Sequence, residues 1–467
     1  MRATRRALAA SALSLLVAAG GAAALGGVVG DAGIGDRYFP KMGNGGYQAT
    51  SYDLRLRYRS SGKVSARMLM VAAADTDGGN PSAGPPLKRF NLDFRGPKVS
   101  RVRVDGEPAT FHRRGQELIV KPSAPIGDDL AFEVKVNYRG RPRPVSNPDG
   151  TRDGWTETSD GVVALGEPQA VPTFAPVNDH PTDKATWRVK LVVPKELLGI
   201  SNGVLIKNER RGGTRTTVWQ EAEPMASYLA MITIGRYRID AEPLDGADYF
   251  AAVDRSMSEA ELETLRERTL KATDFMETVA GPYPFSATGG VVDPSGLGFA
   301  LENQTRSYYP SMPSMDLVVH EVAHQWYGNS VSVRRWKQIW LNEGFATYME
   351  WLYDEETGGT TTAARFAAEY ERPARSSFWE VPPARPGGPG NLFADAVYDR
   401  GAMALQVLRS EIGDVDFREV LERWATENAD GNVTTADLYA LILDVTGSPR
   451  PDAFHAWLYD EGKPAAP

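Results

Sequence analysis

The 467-residue chain contains no cysteine and only five histidines. Without cysteine it forms no disulfide, uses no thiolate nucleophile and offers no thiolate ligand to a metal. Any metal site must therefore be built from histidine and carboxylate side chains. A surplus of basic residues is also missing, because 60 Asp and Glu outnumber 52 Lys and Arg, for a formal charge of −8. This balance argues against nonspecific binding to polyanions, and we expect no nucleic acid partner.

The first thirty residues have the pattern of a secretory signal peptide. Arg2, Arg5 and Arg6 precede an apolar stretch at 7–25, with small residues suited to cleavage after Ala22-Ala23-Ala24. We assign residues 1–30 to this signal and expect a secreted, extracellular protein with no stable membrane insertion after cleavage. An uncleaved anchor is the alternative, because the apolar run approaches the length that a bilayer requires. The export route stays open between general secretion and a twin-arginine pathway.

Hydrophobic periodicity divides the remaining chain into two parts. From Tyr47 to about Tyr237, apolar and polar residues alternate and are interrupted by turn residues, which predicts antiparallel strands with one buried face. After about Asp240 the apolar residues fall at helical spacing. We therefore predict an α+β protein, with a β domain at 31–240 and a mostly helical domain at 241–467.

One short motif contains two of the five histidines. In His320-Glu321-Val322-Ala323-His324 the imidazoles stand at i and i+4, on one face of a helix predicted from Leu317 to Gly328. A catalytic zinc usually has three protein ligands and leaves a fourth position for water. The remaining histidines have no comparable spacing and are His112, His180 and His455. The third ligand should therefore be a carboxylate.

Glu343 is the leading candidate for that third ligand. A helix predicted at 342–353 could lie beside the first and direct the Glu343 carboxylate to the ion. Glu350 and Asp354 occur in the same region, and we interpret them as outer or surface groups. The sequence thus predicts one Zn²⁺ per chain. The alternative, a solvated helix surface without metal, is disfavoured by the apolar neighbours of the motif.

Glu321 is placed by the same motif beside the water that the zinc would bind. Zinc lowers the pKa of such a water to about 7. A carboxylate next to it can take the proton and pass it to the leaving amine. We therefore predict that Glu321 is the general base.

These segments resemble a known family. His320 through Asn329, followed by Trp340 through Ala346, is similar to the aminopeptidase N family of zinc metallopeptidases, a group of gluzincins, and the spacing from the second histidine to the glutamate matches. Stretches at 167–185, 224–230 and 396–402 also match, so the resemblance covers roughly 47–408. Within the family the chain looks like the short secreted bacterial members. Only about 66 residues follow Gly401, so we expect the large C-terminal helical domain to be missing and the active site to be more open.

The resemblance implies a fold and further site residues. It implies a saddle-like antiparallel β-sheet domain followed by a thermolysin-like catalytic domain with a small sheet. His320, His324 and Glu343 would be the metal ligands and Glu321 the base, as the motif itself suggests. Tyr398 would donate its hydroxyl to the oxyanion of the tetrahedral intermediate. Glu302 and Glu167 would bind the free α-amino group of the substrate, which would make the enzyme an exopeptidase.

Several positions depart from the family pattern. Phe299 and Leu301 stand where the family usually has glycine and methionine, and Gly298 is shifted by one position. Arg400 replaces the commoner lysine and keeps its charge. The first of these changes affects how the segment before Glu302 lines the cleft.

The sequence therefore predicts a zinc aminopeptidase that hydrolyses the first peptide bond of peptides with a free N-terminus. An endopeptidase with the same chemistry is an alternative that an open cleft would favour. A noncatalytic peptide-binding surface protein and a lipid-epoxide hydrolase, an activity known in one branch of the family, are the others. The sequence indicates neither the preferred side chain nor the oligomeric state.

Overall fold

The computed structural model describes residues 27–76, 84–244, 246–448 and 452–466. The predicted signal peptide lies outside the described residues except for its end. There, Val28–Val29 form a short strand that pairs in parallel with the strand Leu87–Asp93. Cleavage after Ala24 would leave this strand in place, and the signal peptide itself stays a prediction.

Strands dominate the first half of the described chain, as the alternation predicts. In chain order they are β1 (Val28–Val29), β2 (Gly46–Tyr58), β3 (Val64–Asp75), β4 (Leu87–Asp93), β5 (Lys98–Val104), β6 (Glu107–Pro108), β7 (Thr110–Arg114), β8 (Glu117–Lys121), β9 (Ala131–Gly140), β10 (Pro144–Ser146), β11 (Arg152–Glu157), β12 (Val162–Leu165), β13 (Lys184–Pro194), β14 (Leu198–Ser201), β15 (Val204–Arg211), β16 (Thr214–Ala226) and β17 (Ile232–Gly235).

These strands form three sheets. The largest has the order β15-β16-β13-β2-β3-β9-β5-β6, and the others are β10-β11-β12-β17-β14 and β1-β4-β8-β7. Most neighbours are antiparallel, but β13 runs parallel to β2 from Thr186 opposite Ser51 to Val192 opposite Arg57. A parallel pair needs a long crossover, and the strands between β2 and β13 provide it. The domain is therefore a mixed sheet structure rather than a wholly antiparallel one.

Helices dominate the second half, beside a small sheet. The strands are β18 (Tyr237–Pro243), β19 (Asp248–Asp254), β20 (Ala287–Thr288), β21 (Gly290–Val292), β22 (Ser307–Tyr309), β23 (Ser332–Val333) and β24 (Asn432–Val433). The helices are α1 (Glu259–Ala280), α2 (Met315–Ala323), α3 (Trp340–Glu356), α4 (Thr362–Tyr370), α5 (Gly401–Ile412), α6 (Asp414–Glu427), α7 (Thr435–Thr446) and α8 (Asp452–Tyr459). Sheet membership changes between Gly235 and Tyr237, close to the domain boundary predicted at 240/241.

The two helices that carry the zinc motif differ in extent from the prediction. Ser314 caps α2 by accepting a hydrogen bond from the backbone N–H of Leu317, and the helix ends at Ala323. The chain then turns tightly toward Gly328, whose φ of 141° favours glycine. By contrast, α3 is longer than the predicted helix at 342–353, because it begins at Trp340 and ends at Glu356. No helix in the described ranges is both long enough and apolar enough to cross a bilayer.

The core positions α2 between α1 and α3. Val318, Val319 and Val322 are buried, so α2 is apolar on most of its surface and lies inside the protein. Large aromatic side chains, among them Trp336 and Trp340, fill the space at the start of α3. This packing fixes the relative position of the two helices and so of the polar groups between them.

A half-buried lysine joins the two halves of the molecule. Lys184, at the start of β13, donates from Nζ to the carbonyl oxygens of Asn329 at 3.0 Å, Ser330 at 2.7 Å and Gly431 at 3.1 Å. Burial lowers the pKa of Lys184 to about 7. The β domain is therefore attached to the loop that directly follows α2 and the zinc motif.

Candidate active site

Two histidines and one glutamate converge at the α2–α3 contact. Nε2 of His320 lies 3.3 Å from Oε2 of Glu343, and Nε2 of His324 lies 3.4 Å from the same oxygen. All three side chains are buried. The i and i+4 positions on α2 and the first turn of α3 thus bring together the three residues that the sequence predicted as ligands.

The second ring nitrogen of each histidine has its own partner. Nδ1 of His320 lies 2.6 Å from Oε1 of Glu350, and Nδ1 of His324 lies 3.0 Å from the carbonyl oxygen of Tyr327. Each partner accepts a hydrogen bond from Nδ1–H and leaves Nε2 free to bind a metal. Two such imidazoles with one carboxylate are a donor set of catalytic zinc sites, so the residues fit Zn²⁺. Glu350 is therefore an outer partner, as predicted, whereas Asp354 bonds Arg365 at 2.9 Å.

The charges of the site depend on burial and on the histidines. For Glu343, burial raises the pKa, but His324 and His320 outweigh it and hold the pKa at about 2. For Glu321, burial raises the pKa to about 8 even though both histidines lower it. A bound dication would lower the pKa of Glu321 again. One oxygen of Glu321, Oε2, is buried without a partner among the described residues.

Glu302 is positioned by side chains that follow the zinc motif. Its carbonyl oxygen accepts hydrogen bonds from Nε2 of Gln325 at 3.2 Å and from Nδ2 of Asn329 at 2.7 Å. Leu301 pairs with Tyr308 through two backbone hydrogen bonds. Gln325 and Asn329 were not predicted as site residues, although both belong to the segment after the histidines that resembles the family.

Glu167 reaches the same place from the β domain, just after β12. Carboxylate oxygens of Glu167, Glu302 and Glu343 lie within 4.8 Å of one another, and all three residues are buried. Burial first, and then the charge of Glu302, raise the pKa of Glu167 well above its usual value. Burial likewise raises the pKa of Glu302, against a lowering by His324. Glu167 and Glu302 each keep one buried oxygen, Oε1, without a partner among the described residues.

Tyr398 lies on a π-helical turn at Ala396–Arg400, directly before α5. Its ring is stacked on that of His320 with 6.0 Å between the centroids and 22° between the planes. Arg400 is buried and donates to the carbonyl oxygens of Trp457 at 2.9 Å and Trp379 at 3.0 Å, which attaches this turn to the end of α8. In the sequence, Arg400 stands out only as a replacement for the commoner lysine. Its hydrogen bonds to the backbone are seen only in the structure.

One cleft of about 630 Å³ between the two halves is lined by the predicted site residues, namely Glu167, Glu302, His320, Glu321, His324, Glu343 and Tyr398. Phe299 and Leu301, the residues that depart from the family pattern, line it as well. Further acidic side chains complete the lining, namely Asp149, Asp153, Glu350, Glu369, Asp395 and Asp399. The cleft therefore combines the metal triad, an acidic group for a cation and a tyrosine hydroxyl.

Comparison with known families agrees with this geometry. Residues 91–229 match the Peptidase M1 N-terminal domain, and residues 298–457 match the Peptidase family M1 domain. Among curated proteins the chain is 29% identical over 317 residues to Aminopeptidase M1-B of Oryza sativa subsp. japonica, which covers 62% of this chain and 36% of that protein. It is 25% identical over 398 residues to Probable aminopeptidase 2 of Sulfurisphaera tokodaii, which covers 80% and 50%. The chain thus spans about a third to a half of the length of these relatives.

Solved structures with the same fold match over nearly the whole chain. An M1 zinc metallopeptidase from Deinococcus radiodurans superposes with a TM-score of 0.83 at 26% identity, covering 93% of this chain and 98% of that one. A mutant of that enzyme bound to a Tyr-Ser-Ala substrate gives 0.82 at 26% identity, with 93% and 99% covered. A two-domain M1 zinc metallopeptidase mutant bound to L-arginine also gives 0.82, at 25% identity, with 93% and 99% covered.

Proposed function

Because the chain belongs to the M1 peptidase family and its His320, His324 and Glu343 converge as a donor set that fits Zn²⁺, we propose that it is a zinc aminopeptidase. Its substrates are peptides with a free N-terminus, and it hydrolyses their first peptide bond. The peptide and amino acid complexes of the Deinococcus radiodurans and two-domain enzymes support this substrate class.

The metal, Glu321 and Tyr398 each have a defined part in this reaction. When bound, Zn²⁺ supplies a Lewis acid that polarises the scissile carbonyl and acidifies a water. Glu321 accepts the proton of the attacking water and transfers it to the departing amine. Tyr398 donates its hydroxyl to the oxygen that becomes negative as the carbonyl carbon turns tetrahedral. Burial holds the pKa of Tyr398 well above its usual value, so this hydroxyl keeps its proton at neutral pH.

The amine-binding pair carries the proposal from hydrolase to aminopeptidase. Glu167 and Glu302 are buried, lie close together, and each keeps an oxygen without a partner. A protonated α-amine would donate to these oxygens and neutralise charges that are otherwise costly to bury. Since the pair shares the neighbourhood of Glu343, it fixes the amine at a short distance from the metal ligands. Only the first peptide bond then reaches Glu321.

The acetylation of the substrate amine tests this proposal. We expect the zinc-loaded protein to cleave alanine 4-nitroanilide and to leave the N-acetylated compound intact under the same conditions. Equal rates on the two compounds would contradict aminopeptidase action. Internal cuts in an N-blocked protein substrate would instead favour the endopeptidase reading.

Export is a separate proposal that rests on the first residues alone. The arginines and apolar run at 1–25 support secretion with removal of the signal peptide. Determination of the N-terminus of the protein recovered from culture medium tests it. An intact Met1 or a membrane-bound protein would contradict cleavage.

A further inference from the structure

We propose that Asp153, assisted by Asp149, selects substrates whose N-terminal residue is arginine or lysine. This inference rests on the proposed aminopeptidase function, because it requires the α-amine to be held by Glu167 and Glu302. It adds the preferred side chain, which neither the family match nor the metal site determines.

Asp153 is a buried carboxyl group with an unsatisfied oxygen. Its exposed fraction is 1%, and its Oδ2 accepts a hydrogen bond from Nδ2 of Asn147 at 2.8 Å. Oδ1 is buried and has no hydrogen-bond partner in the described part of the chain. Burying a carboxylate oxygen without a donor is costly. A donor supplied by a ligand would satisfy it.

Its location places Asp153 beside the amine-binding group. Asp153 lines the same cleft as Glu167 and Glu302. The backbone of Gly166 passes directly against it, because a Cβ added to Gly166 would lie 2.4 Å from Cγ of Asp153. Asn147, the partner of Asp153, also donates to the carbonyl oxygen of Glu167 at 3.4 Å. The carboxyl group of Asp153 is thus packed one residue away from an amine ligand.

The geometry of a peptide N-terminus connects these positions. The first side chain branches from the carbon that carries the α-amine, while the scissile carbonyl on that carbon points to the zinc ligands. In the proposed binding pose the side chain leaves along the wall on which Glu167 lies. Asp149, Thr151 and Asp153 belong to this wall, contributed by β11 and the turn before it.

Within the described part of the chain, no lysine or arginine forms an ion pair with Asp149 or Asp153. Arg365, the arginine in the cleft lining, bonds Asp354 at 2.9 Å. Glu369 and Asp399, on the other wall, have a partner in Arg372, at 2.5 Å and 2.8 Å. Burial raises the pKa of Asp153 to about 7, although the hydrogen bond from Asn147 and the charge of Arg95 lower it. The hydrogen bonds of Arg95 go to Gln116 and Gln169, each at 2.6 Å. A cationic side chain beside Asp153 would favour its ionised form.

A cationic side chain suits this place better than the other classes. A guanidinium or ammonium group supplies both the donor that Oδ1 lacks and the positive charge that the wall lacks. An aliphatic side chain would leave Oδ1 unsatisfied, and an acidic one would be repelled by both aspartates. The half-buried ring of Phe299 lines the same cleft and offers an aromatic face to a cation.

Binding to a zinc-loaded Glu321→Gln protein tests the inference without turnover. Calorimetry would compare argininamide, lysinamide and leucinamide in this background and in the same background with Asp153→Asn. Asparagine is nearly isosteric, and its Oδ1 can still accept the hydrogen bond from Asn147. We expect a preference for argininamide and lysinamide that falls by roughly 10- to 100-fold in the double variant. Leucinamide binding should change less than about threefold.

Two further variants distinguish recognition of a cationic side chain from a purely structural role of the acidic residues. Asp149→Asn changes an exposed turn residue, so it tests the charge without disturbing the fold, and a smaller loss for the cationic amides is expected. Glu369→Gln is the matched control, because Arg372 already neutralises that acid, and the preference should survive. Equal losses for all three amides in Asp153→Asn would overturn the inference in favour of a structural role. Equal affinities for the three amides in the Glu321→Gln protein that keeps Asp153 would also overturn the inference, even if the acetylation test confirms aminopeptidase action.

Discussion

The metal wall of the cleft and the wall formed by the β domain neutralise buried charge in different ways. On the metal wall, Glu343 faces two histidines, and each histidine has an outer partner for its second nitrogen. On the β-domain wall, Glu167 and Asp153 are just as buried, but each keeps an oxygen without a partner in the described chain. On the first wall, the ligand carboxylate of Glu343 is balanced by side chains of the protein itself. The second wall needs hydrogen-bond donors and positive charge from the substrate. We therefore assign catalysis to the metal wall and selectivity to the β-domain wall.

Glu321→Gln breaks the metal wall at its reactive group. Glutamine cannot accept a proton, so we expect kcat to fall by roughly 100- to 10,000-fold. Zinc content should stay at one ion per chain, because Glu321 is not one of the convergent ligands. Single-turnover rates and metal analysis on the same preparation check both points. Loss of zinc together with activity would mean that Glu321 supports the metal instead.

Glu302→Gln breaks the amine site and leaves the metal triad intact. We expect kcat/KM on substrates with a free amine to fall by roughly 30- to 1,000-fold, because one charged partner of the ammonium is lost. A substrate that lacks the amino group should be affected only slightly. Steady-state kinetics on the matched pair give the comparison. An equal loss on both substrates would show that Glu302 acts on the chemistry and not on the amine.

Glu350→Gln weakens the hydrogen bond that Nδ1 of His320 makes on the side away from the metal. Without the carboxylate on Nδ1, His320 is a weaker and less well oriented ligand, and zinc affinity should fall by roughly 10- to 100-fold. At saturating zinc, activity should largely return, which a direct ligand variant such as Glu343→Gln would not show. Competition with a zinc chelator measures the affinity. Unchanged affinity would remove Glu350 from the metal site.

The pH dependence of protein stability tests whether burying a carboxyl group of the β domain is costly, and Asp179 is the group that we choose. This buried group accepts a hydrogen bond from Oγ of Ser227 at 2.6 Å, while its Oδ2 has no partner in the described chain, and burial raises its pKa to about 7. In the unfolded chain the pKa of an aspartate is about 3.9. The folded state therefore binds more protons between about pH 4 and pH 7, and its stability falls as the pH rises through that window.

We expect the free energy of unfolding to fall by about 1 kcal/mol or more between pH 5 and pH 8 because of Asp179. Asp179→Asn should flatten this slope and raise stability at pH 8. Urea unfolding at pH 5, 6.5 and 8 gives the values, with Asp149→Asn as the exposed control. Parallel pH profiles for the variant and the unsubstituted protein would contradict the prediction.

Several features of the fold and site could be predicted from residue patterns. The alternation of apolar residues located the β domain, and the HExxH spacing located α2 because the period of a helix fixes which side chains share a face. Other features could not be predicted in this way. The end of α2 at Ala323 depends on Gly328 and on the loop held by Lys184, a contact between residues about 145 positions apart.

The local sequence determined the metal site, since His320, His324 and Glu321 lie on one short segment and Glu343 lies in the first turn of α3. Only the tertiary structure decided the β-domain wall. Glu167 and Asp153 on this wall and Glu302 from the helical half come from three separate segments, and their burial and missing partners arise when the two halves pack together. Solvation and charge depend on everything that surrounds a group, so a carboxylate that would be unremarkable in an exposed segment becomes, once buried, a group that requires a cation.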